Sequence, residues 1–378
     1  MTTSRRSLLG LLGVGGLMAS TGWARAESAS VSRDLRPGGA FDRFVAQQAA
    51  EDRFSGTVLL AHRGKPVLVR AHGLSNKDLG LPNRADTAFG LASITKVFTA
   101  IAIAQLAQQR KMAFHDTLGT HLPGFPAEIA DTVTVHQLLT HTSGVGRPSF
   151  GSGAPSDPSW NSYDAVMEGT MAIIRQTPLQ FTPGTRYVYS NDGFVVLGAI
   201  VAAVSGQSYF DYVRQHVFTP AGMSRTDFYS RPQVLADNRI ARPYWTQRTG
   251  ERADFMASPY APFTIGPPGG AYSTVSDLLA FTRALAGGTL LSPAMAALMS
   301  SGKVPVPGDP LSQVDFYGYG HRDSIVNGQR VHGHSGSGPG MATRLDIHTD
   351  RDWVAIVLSN YDTTINPIVA LERDLITA

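Results

Sequence analysis

Cysteine is absent from the 378 residues, and lysine is scarce, with 5 lysines against 27 arginines. Without cysteine the chain has no disulfide bonds, no thiol nucleophile and no thiolate-bound metal site. A long apolar run is also missing near the N-terminus, where the stretch from Leu8 to Met18 has 11 residues and is too short to span a bilayer. Any chemistry must therefore be carried by hydroxyl, amine, imidazole, phenol or carboxylate groups.

The first 26 residues predict an export signal that is not part of the fold. Ser4-Arg5-Arg6-Ser7-Leu8-Leu9 is a twin-arginine pattern, and Ala24-Arg25-Ala26 fits a small-x-small cleavage site. We expect cleavage near Ala26, a periplasmic or secreted bacterial protein, and no stable membrane anchor after cleavage. An uncleaved anchor is the alternative.

The charge balance does not favour a nucleic-acid partner or an anionic membrane. The net charge of +3 comes from the predicted signal, because residues 1–26 hold three arginines and no acid. The remaining chain has 29 basic and 29 acidic side chains, so it lacks the positive field that binds polyanions.

Apolar patterns that predict β-strands lie near both ends of the chain. Asn327-Gly328 between two such patterns is a strong two-residue hairpin signal, and Arg63-Gly64-Lys65-Pro66 joins another pair. The predicted strands are Thr57–His62, Val67–His72, Tyr317–Val326, Gln329–His334, Ala342–His348 and Trp353–Ser359.

Between these ends the chain consists mostly of helical patterns broken by glycine and proline. The order of patterns favours an α/β fold of the α+β type, with one antiparallel sheet flanked by terminal helices. The sheet domain would be discontinuous, built from residues 27–111 and 291–378, and residues 112–290 would form an inserted, mostly helical domain. We expect the active site in the cleft between the two domains.

Ser93 and Lys96 lie three residues apart at the start of an apolar stretch that predicts a buried helix. On a helix their side chains share one face. A serine at a helix N-terminus lies beside unpaired backbone N–H groups, which stabilise an oxyanion formed there. Burial lowers the pKa of a lysine toward the range in which it accepts a proton. The pair therefore has the chemistry of a nucleophile and its base, although Ser-x-x-Lys alone is a weak pattern.

Two further motifs carry groups suited to the same reaction. Tyr189-Ser190-Asn191 precedes an apolar helical stretch; it offers a phenol and an amide, or is simply a surface tyrosine beside a helix cap. His334-Ser335-Gly336-Ser337-Gly338 ends a predicted strand, where glycines admit a substrate and an edge offers N–H groups; a glycine-rich turn is the alternative. The N–H groups of Ser93 and Ser337 are candidates for an oxyanion hole.

In this order, Ser-x-x-Lys, Tyr-x-Asn and His-Ser-Gly resemble the three motifs of the penicillin-recognising serine hydrolases, and more narrowly the class C β-lactamase and D-Ala-D-Ala carboxypeptidase branch. Residues 138–144, residues 269–278 and Tyr317-Gly318-Tyr319-Gly320 are also similar to stretches usual in that family. The resemblance covers nearly all of the chain after the export signal. It implies the β-lactamase/transpeptidase-like fold, with the site between an α/β domain and a helical domain.

The resemblance also implies the role of each residue. Ser93 would be acylated, Lys96 and Tyr189 would share the general-base work, and Asn191 would bind the amide group of the substrate. The sequence does not decide which of Lys96 and Tyr189 holds the shared proton. The third-motif residues that would contact the substrate are His334, Ser335, Gly336 and Ser337. The substrate would be a small molecule or peptide with an amide, ester or β-lactam carbonyl, and no metal or other cofactor is expected.

The third motif departs from the β-lactamases of this branch, which usually have a lysine where this chain has His334. A lysine there is a fixed positive charge facing the substrate carboxylate, whereas histidine is mostly neutral at pH 7. Arg344, on the following strand, is the candidate counter-charge. The departure brings the chain closer to the D-Ala carboxypeptidases, D-aminopeptidases and esterases of the family.

Other classes of function find less support. The Gly-x-Ser-x-Gly motif that an α/β-hydrolase requires is not found in the sequence. The spacing of His136 and His141 does not fit a zinc peptidase. A catalytically silent family member that binds cell-wall fragments is the main alternative to an enzyme, and a true class C-like β-lactamase is the alternative activity. Residues 148–159, rich in Gly, Ser and Pro, are either a flap over the site or a solvated loop.

Overall fold

The largest sheet joins strands from the two ends of the chain. A computed structural model of the protein describes residues 31–147, 156–308 and 310–378. The predicted export signal, and most of the predicted loop at 148–159, lie outside these ranges. The strands, in chain order, are β1 (Gly56–His62), β2 (Lys65–His72), β3 (Leu74–Asn76), β4 (Leu81–Pro82), β5 (Phe89–Gly90), β6 (Tyr244–Thr246), β7 (Arg252–Asp254), β8 (Tyr272–Ser273), β9 (Val304–Pro305), β10 (Val314–Tyr317), β11 (Arg322–Val326), β12 (Gln329–Gly338), β13 (Met341–His348) and β14 (Trp353–Ser359).

Eight of these strands form one antiparallel sheet in the order β2-β1-β14-β13-β12-β11-β10-β9. Gly56 in β1 lies opposite Ser359 in β14, so the N-terminal hairpin is sealed by the last strand. The Asn327-Gly328 turn has positive φ angles of 49° and 75°, as the predicted two-residue hairpin requires. The predicted sheet built from both ends is therefore confirmed.

Helices cover both faces of this sheet. The helices, in chain order, are α1 (Ala40–Ala50), α2 (Thr95–Gln108), α3 (Leu118–His121), α4 (Ala127–Ala130), α5 (Val135–Leu139), α6 (Tyr163–Gln176), α7 (Asn191–Ser205), α8 (Tyr209–Val213), α9 (Arg231–Ala236), α10 (Val275–Ala286), α11 (Pro293–Ser300) and α12 (Asn366–Thr377). Leu345 of β13 packs in the core around α2. The next residue of β13, Asp346, accepts a hydrogen bond from Arg373 of α12. Because side chains alternate along a strand, α2 and α12 lie on opposite faces.

Helix α2 is the buried centre of the molecule. Twelve of its residues, Thr95 to Leu106, are buried, as a helix that is apolar on every side must be. Residues from Ser32 onward form one compact unit, so the division into a sheet domain and a helical domain stays a prediction. Within the described residues no single helix is long and apolar enough to cross a bilayer; only α7 with the segment 209–218 passes that test, as a pair bent by 81°.

The predicted strand from Tyr317 to Val326 is wrong, because the chain turns inside it. Tyr317 ends β10 and Arg322 begins β11. The Gly318 N–H donates to the His321 carbonyl at 2.7 Å, and Gly320 has a φ of 70°. This tight turn folds β10 back against β11, and it places Arg322 directly opposite Tyr317.

Candidate active site

Ser93 lies in a 3₁₀ turn, Ala92–Ile94, directly before α2, so the predicted placement at a helix start is found. Ala92 has a left-handed φ of 46°, which a non-glycine residue keeps only where its surroundings enforce it. Two contacts enforce it at Leu91. Its N–H donates to the Ala271 carbonyl at 2.9 Å, and its carbonyl accepts from Thr343 Oγ1 at 2.8 Å.

Lys96 is fully buried, and its Nζ contacts three oxygen atoms. Ser93 Oγ is 3.1 Å away, Asn191 Oδ1 2.7 Å and the Pro268 carbonyl 2.8 Å. Burial lowers the pKa of Lys96 well below its usual value. A neutral amine has two N–H groups and one lone pair. With the N–H groups donated to Asn191 and Pro268, the lone pair is left for the Ser93 hydroxyl.

Tyr189 completes the contacts of the nucleophile. Its hydroxyl lies close enough to Ser93 for that side chain to lower the pKa of the phenol, and its ring centroid is 4.8 Å from Lys96 Nζ. Although 39% of the residue's surface is exposed, burial around its hydroxyl raises the pKa of Tyr189, and the nearby Ser93 only partly opposes this. Both pKa shifts favour a neutral amine beside a protonated phenol, the alternative that the sequence left undecided.

Asn191 is the first residue of α7 and does not lie in a loop. Ser190 caps the helix, its Oγ accepting the Gly193 N–H at 2.9 Å. Since Asn191 Oδ1 already accepts from Lys96, its amide nitrogen is the group that can donate to a substrate carbonyl.

The second half of β12 runs past the nucleophile with one uncovered edge. β13 pairs with β12 as far as Gly338, but β11 pairs only as far as Gly333. At Gly336 a Cβ atom would lie 2.2 Å from the Leu91 carbonyl and from Thr343 Oγ1, so only glycine permits this approach of strand and nucleophile turn. Ser335 and Ser337 flank this contact. Their roles, including the oxyanion hole, stay predictions.

His334 is buried, with 2% of its surface exposed, and both ring nitrogens have protein partners. Nδ1 is 2.5 Å from the Ser335 carbonyl, and Nε2 is 2.8 Å from the Tyr317 hydroxyl. A carbonyl only accepts, so Nδ1 carries the hydrogen and Tyr317 donates to Nε2. Burial lowers the pKa of His334 well below its usual value, and the positive charge of Arg322 adds to this. His334 therefore offers no cation to a substrate.

The structure corrects the prediction that Arg344 is the counter-charge. Arg344 Nε donates to Asp346 Oδ1 at 2.6 Å, and Asp346 also accepts from Arg373 of α12 at 2.7 Å. Thr343, the preceding residue, bonds Leu91 on the nucleophile side. Because neighbours in a strand point to opposite faces, the Arg344 side chain lies on the α12 face, away from Ser93.

Arg322 is the basic residue at the site that the sequence did not reveal. It begins β11 opposite Gly333, the residue before His334. Its charge lowers the pKa values of Tyr189, Tyr317 and His334, although burial is the larger influence on each. Within the described ranges no aspartate or glutamate forms an ion pair with it. Nothing in the sequence around Arg322 separates it from the other arginines.

Comparisons with known proteins identify the family of the chain. A family model described as Beta-lactamase matches residues 41–375. Penicillin-binding protein 4* of Bacillus subtilis (strain 168) is 30% identical over 321 residues, which cover 82% of this chain and 68% of the relative. Esterase EstB of Burkholderia gladioli is 34% identical over 214 residues, 54% of this chain and 53% of the esterase.

A solved structure shares the fold over most of its length. The crystal structure of a penicillin binding protein from Bacillus halodurans matches with a TM-score of 0.75 at 28% sequence identity, covering 87% of this chain and 98% of that protein. The antiparallel sheet with helices on both faces is thus the fold of this group.

Proposed function

Because the chain belongs to the beta-lactamase family of serine hydrolases, we propose that it is exported and hydrolyses an amide or ester through an acyl-enzyme on Ser93. The observation that carries the proposal is the 3.1 Å contact between Ser93 Oγ and the buried Lys96 Nζ. The twin-arginine pattern at Arg5 and Arg6 supports export to the periplasm or the medium.

In the acylation step Ser93 Oγ attacks the substrate carbonyl and its proton passes to the lone pair of Lys96. Lys96 is suited to this because its two N–H groups are held by Asn191 and Pro268, so the lone pair keeps one direction. General-base help of this kind is worth about 10²–10⁴-fold in rate. The Asn191 amide nitrogen holds the substrate carbonyl group next to the scissile bond.

Collapse of the tetrahedral intermediate needs a proton for the leaving group. Tyr189 is the donor, since burial keeps its phenol protonated and its hydroxyl lies at Ser93. The charge on Lys96, acquired in the first step, stabilises the phenolate that forms. Water then attacks the acyl-enzyme and gives a proton to the Tyr189 phenolate. Lys96 returns its proton to Ser93, so that Lys96 and Tyr189 are both neutral again.

The substrate carries an anionic group next to the scissile bond. His334 is neutral and Arg344 is turned away, while Arg322 lies at the third motif without an acidic partner in the described chain. Arg322 thus provides the positive charge that a lysine supplies in related β-lactamases. The relatives named for penicillin binding and for esterase activity support peptides with a free carboxylate, and esters, as the classes to test first.

The deciding experiment labels the purified protein with a fluorescent penicillin and with a fluorophosphonate, in the presence and absence of a chelator. We expect a covalent adduct on Ser93, located by mass spectrometry, that is unaffected by the chelator and absent from Ser93→Ala. A panel of nitrocefin, a D-Ala-D-Ala peptide, a D-amino-acid amide and p-nitrophenyl esters then measures turnover. An adduct with no turnover of any of them would favour the silent binding protein, and no adduct would refute the acyl-enzyme.

A further inference from the structure

His141 occupies a strained backbone position behind the active site. It follows α5 and its capping residue Thr140, and its φ is 59°. Glycine is the usual residue where a helix ends in this left-handed conformation, because a Cβ atom is disfavoured there. A histidine in this place indicates that its side chain is needed.

The backbone and side chain of His141 together hold both neighbours of Tyr189. The Val188 N–H donates to the His141 carbonyl at 2.9 Å, and the Ser190 N–H donates to His141 Nδ1 at 3.0 Å. The His141 ring also lies against the Tyr189 ring, with centroids 4.3 Å apart. One residue therefore holds the backbone on both sides of Tyr189 and contacts its ring.

The imidazole can do this only in one protonation state. Nδ1 must accept the Ser190 N–H, so the ring hydrogen sits on Nε2, which has no hydrogen-bond partner within the described residues. The ring is 1% exposed and packs against Tyr317 and Phe194. Burial lowers the pKa of His141 well below its usual value, and the positive charge of Arg322 adds to this.

We propose that His141 is a positioning residue that sets the Tyr189 hydroxyl against Ser93, by accepting the Ser190 N–H and stacking on the phenol. It touches neither substrate nor nucleophile, and this role rests on the proposed function of Tyr189 as the proton donor. His141 therefore acts on the rate of acylation and not on substrate affinity.

The test compares His141→Asn with His141→Gly. Asparagine tolerates a left-handed φ and places an oxygen acceptor near the position of Nδ1, whereas glycine keeps the backbone and removes the acceptor. Arg110→Gly is the matched control, since Arg110 is exposed, lies after α2 and has the same φ of 59°. Turnover is followed as ammonia release from a D-amino-acid amide, whose leaving amine must take a proton, and thermal unfolding checks that each variant is folded.

We expect His141→Asn to stay within about 3-fold of wild type, and His141→Gly to lose at least about 20-fold in kcat with little change in KM. Combined with Tyr189→Phe, His141→Gly should cost less than about 2-fold more, because the two residues act as one unit. Additive losses in the double variant would overturn the role of His141. A His141→Asn enzyme as slow as Tyr189→Phe would also overturn it. This second criterion can be applied even if His141→Gly does not fold.

The same set separates this role from the proposed function. If Tyr189→Phe alone costs nothing, Tyr189 is not the proton donor, and both proposals fail together. If Tyr189→Phe is slow and His141→Gly is as fast as Arg110→Gly, the catalytic assignment of Tyr189 stands and only the role of His141 is refuted.

Discussion

Lys96 is enclosed by protein and hydrogen-bonds three oxygen atoms, none of which belongs to a carboxylate. Loss of hydration with no compensating negative charge lowers the pKa of this amine and so favours the neutral form that can accept a proton. Acylation should slow as the pH falls through the lowered pKa of Lys96, because the protonated amine has no lone pair.

Replacing Tyr189 by phenylalanine removes the proton donor and keeps the ring against His141. We expect Tyr189→Phe to lower kcat by at least about 10²-fold, the range for loss of a general acid or base, in steady-state hydrolysis of the best substrate. Tyr187→Phe is the control, since it removes a hydroxyl two residues away in the same segment. A Tyr189→Phe enzyme as fast as Tyr187→Phe would remove Tyr189 from the mechanism.

Arg322→Gln should discriminate between charged and uncharged substrates. With the counter-charge gone, kcat/KM for a D-Ala-D-Ala peptide should fall at least about 10-fold, as for a charge-assisted hydrogen bond worth roughly 1.5–3 kcal/mol. The rate with a neutral p-nitrophenyl ester should change little. Arg248→Gln, at an exposed position, makes the same charge change elsewhere, and equal effects on both substrates would contradict a carboxylate site.

Three local motifs, taken together with their resemblance to a known family, predicted Ser93, Lys96 and Tyr189 as the catalytic residues, and the structure brings the three side chains together. The motifs were not enough for the counter-charge. Arg344 and Arg322 are both arginines on strands beside the third motif. What separates them is the turn inside Tyr317–Val326, which places Arg322 at the start of β11, and the acid Asp346, which binds Arg344. None of these can be read from a pattern of residue types.

Among the elements, β12 and the turn at Ser93 depend on one glycine for their contact. In Gly336→Ala the new methyl group would meet the Leu91 carbonyl at 2.2 Å, and β12 must move away from the nucleophile. We expect kcat to fall by about 10²–10³-fold, as for loss of an oxyanion-hole donor. Gly308→Ala, where nothing lies within 4 Å, should leave kcat unchanged, and an active Gly336→Ala enzyme would show that the strand need not approach so closely.

Helix α12 is docked on the sheet through a buried acid–histidine pair. His348 Nε2 is 3.3 Å from Glu372 Oε2. Burial raises the pKa of Glu372 to about 7. The charge of Glu372 raises the pKa of His348, although burial alone would lower it. Both groups hold a proton more tightly in the folded chain, so this stabilisation is complete below about pH 4.5 and is lost as the pH rises through about 7.

Between pH 5 and pH 8 the melting temperature of the wild-type protein should therefore fall more than that of Glu372→Gln. The extra loss should correspond to about 2 kcal/mol of unfolding free energy. Glutamine keeps the shape and does not ionise, which removes the contribution of Glu372 to this pH dependence. Thermal unfolding of the two proteins at matched pH values measures the difference. Parallel curves across this range would show that the pair does not couple α12 to pH.

At the scale of the whole molecule, the predicted N-terminal export signal can be tested directly. Replacing Arg5 and Arg6 by lysine keeps the charge and the apolar stretch but breaks the twin-arginine pattern. We expect the full-length variant to accumulate in the cytoplasm with its signal uncleaved, as shown by fractionation and N-terminal sequencing. Normal export of the Lys-Lys variant would contradict the twin-arginine route.

The overall architecture was more predictable than its details. Strand patterns at both ends, with a hairpin at Asn327-Gly328, predicted one antiparallel sheet. Such patterns can be recognised because the alternation of buried side chains appears within each short stretch of sequence. The pairing of β1 with β14 and the enclosure of α2 needed the three-dimensional structure. So did the strained conformation of His141, because no residue pattern specifies a left-handed histidine.

The pairing of β1 with β14 also sets the order of events during synthesis. The β1–β2 hairpin is made early, yet its second neighbour emerges from the ribosome about 300 residues later. Until then one edge of β1 is open to wrong partners, and closing so long a loop is slow. A nascent chain stalled before residue 353 should therefore have an unfinished sheet and no working enzyme.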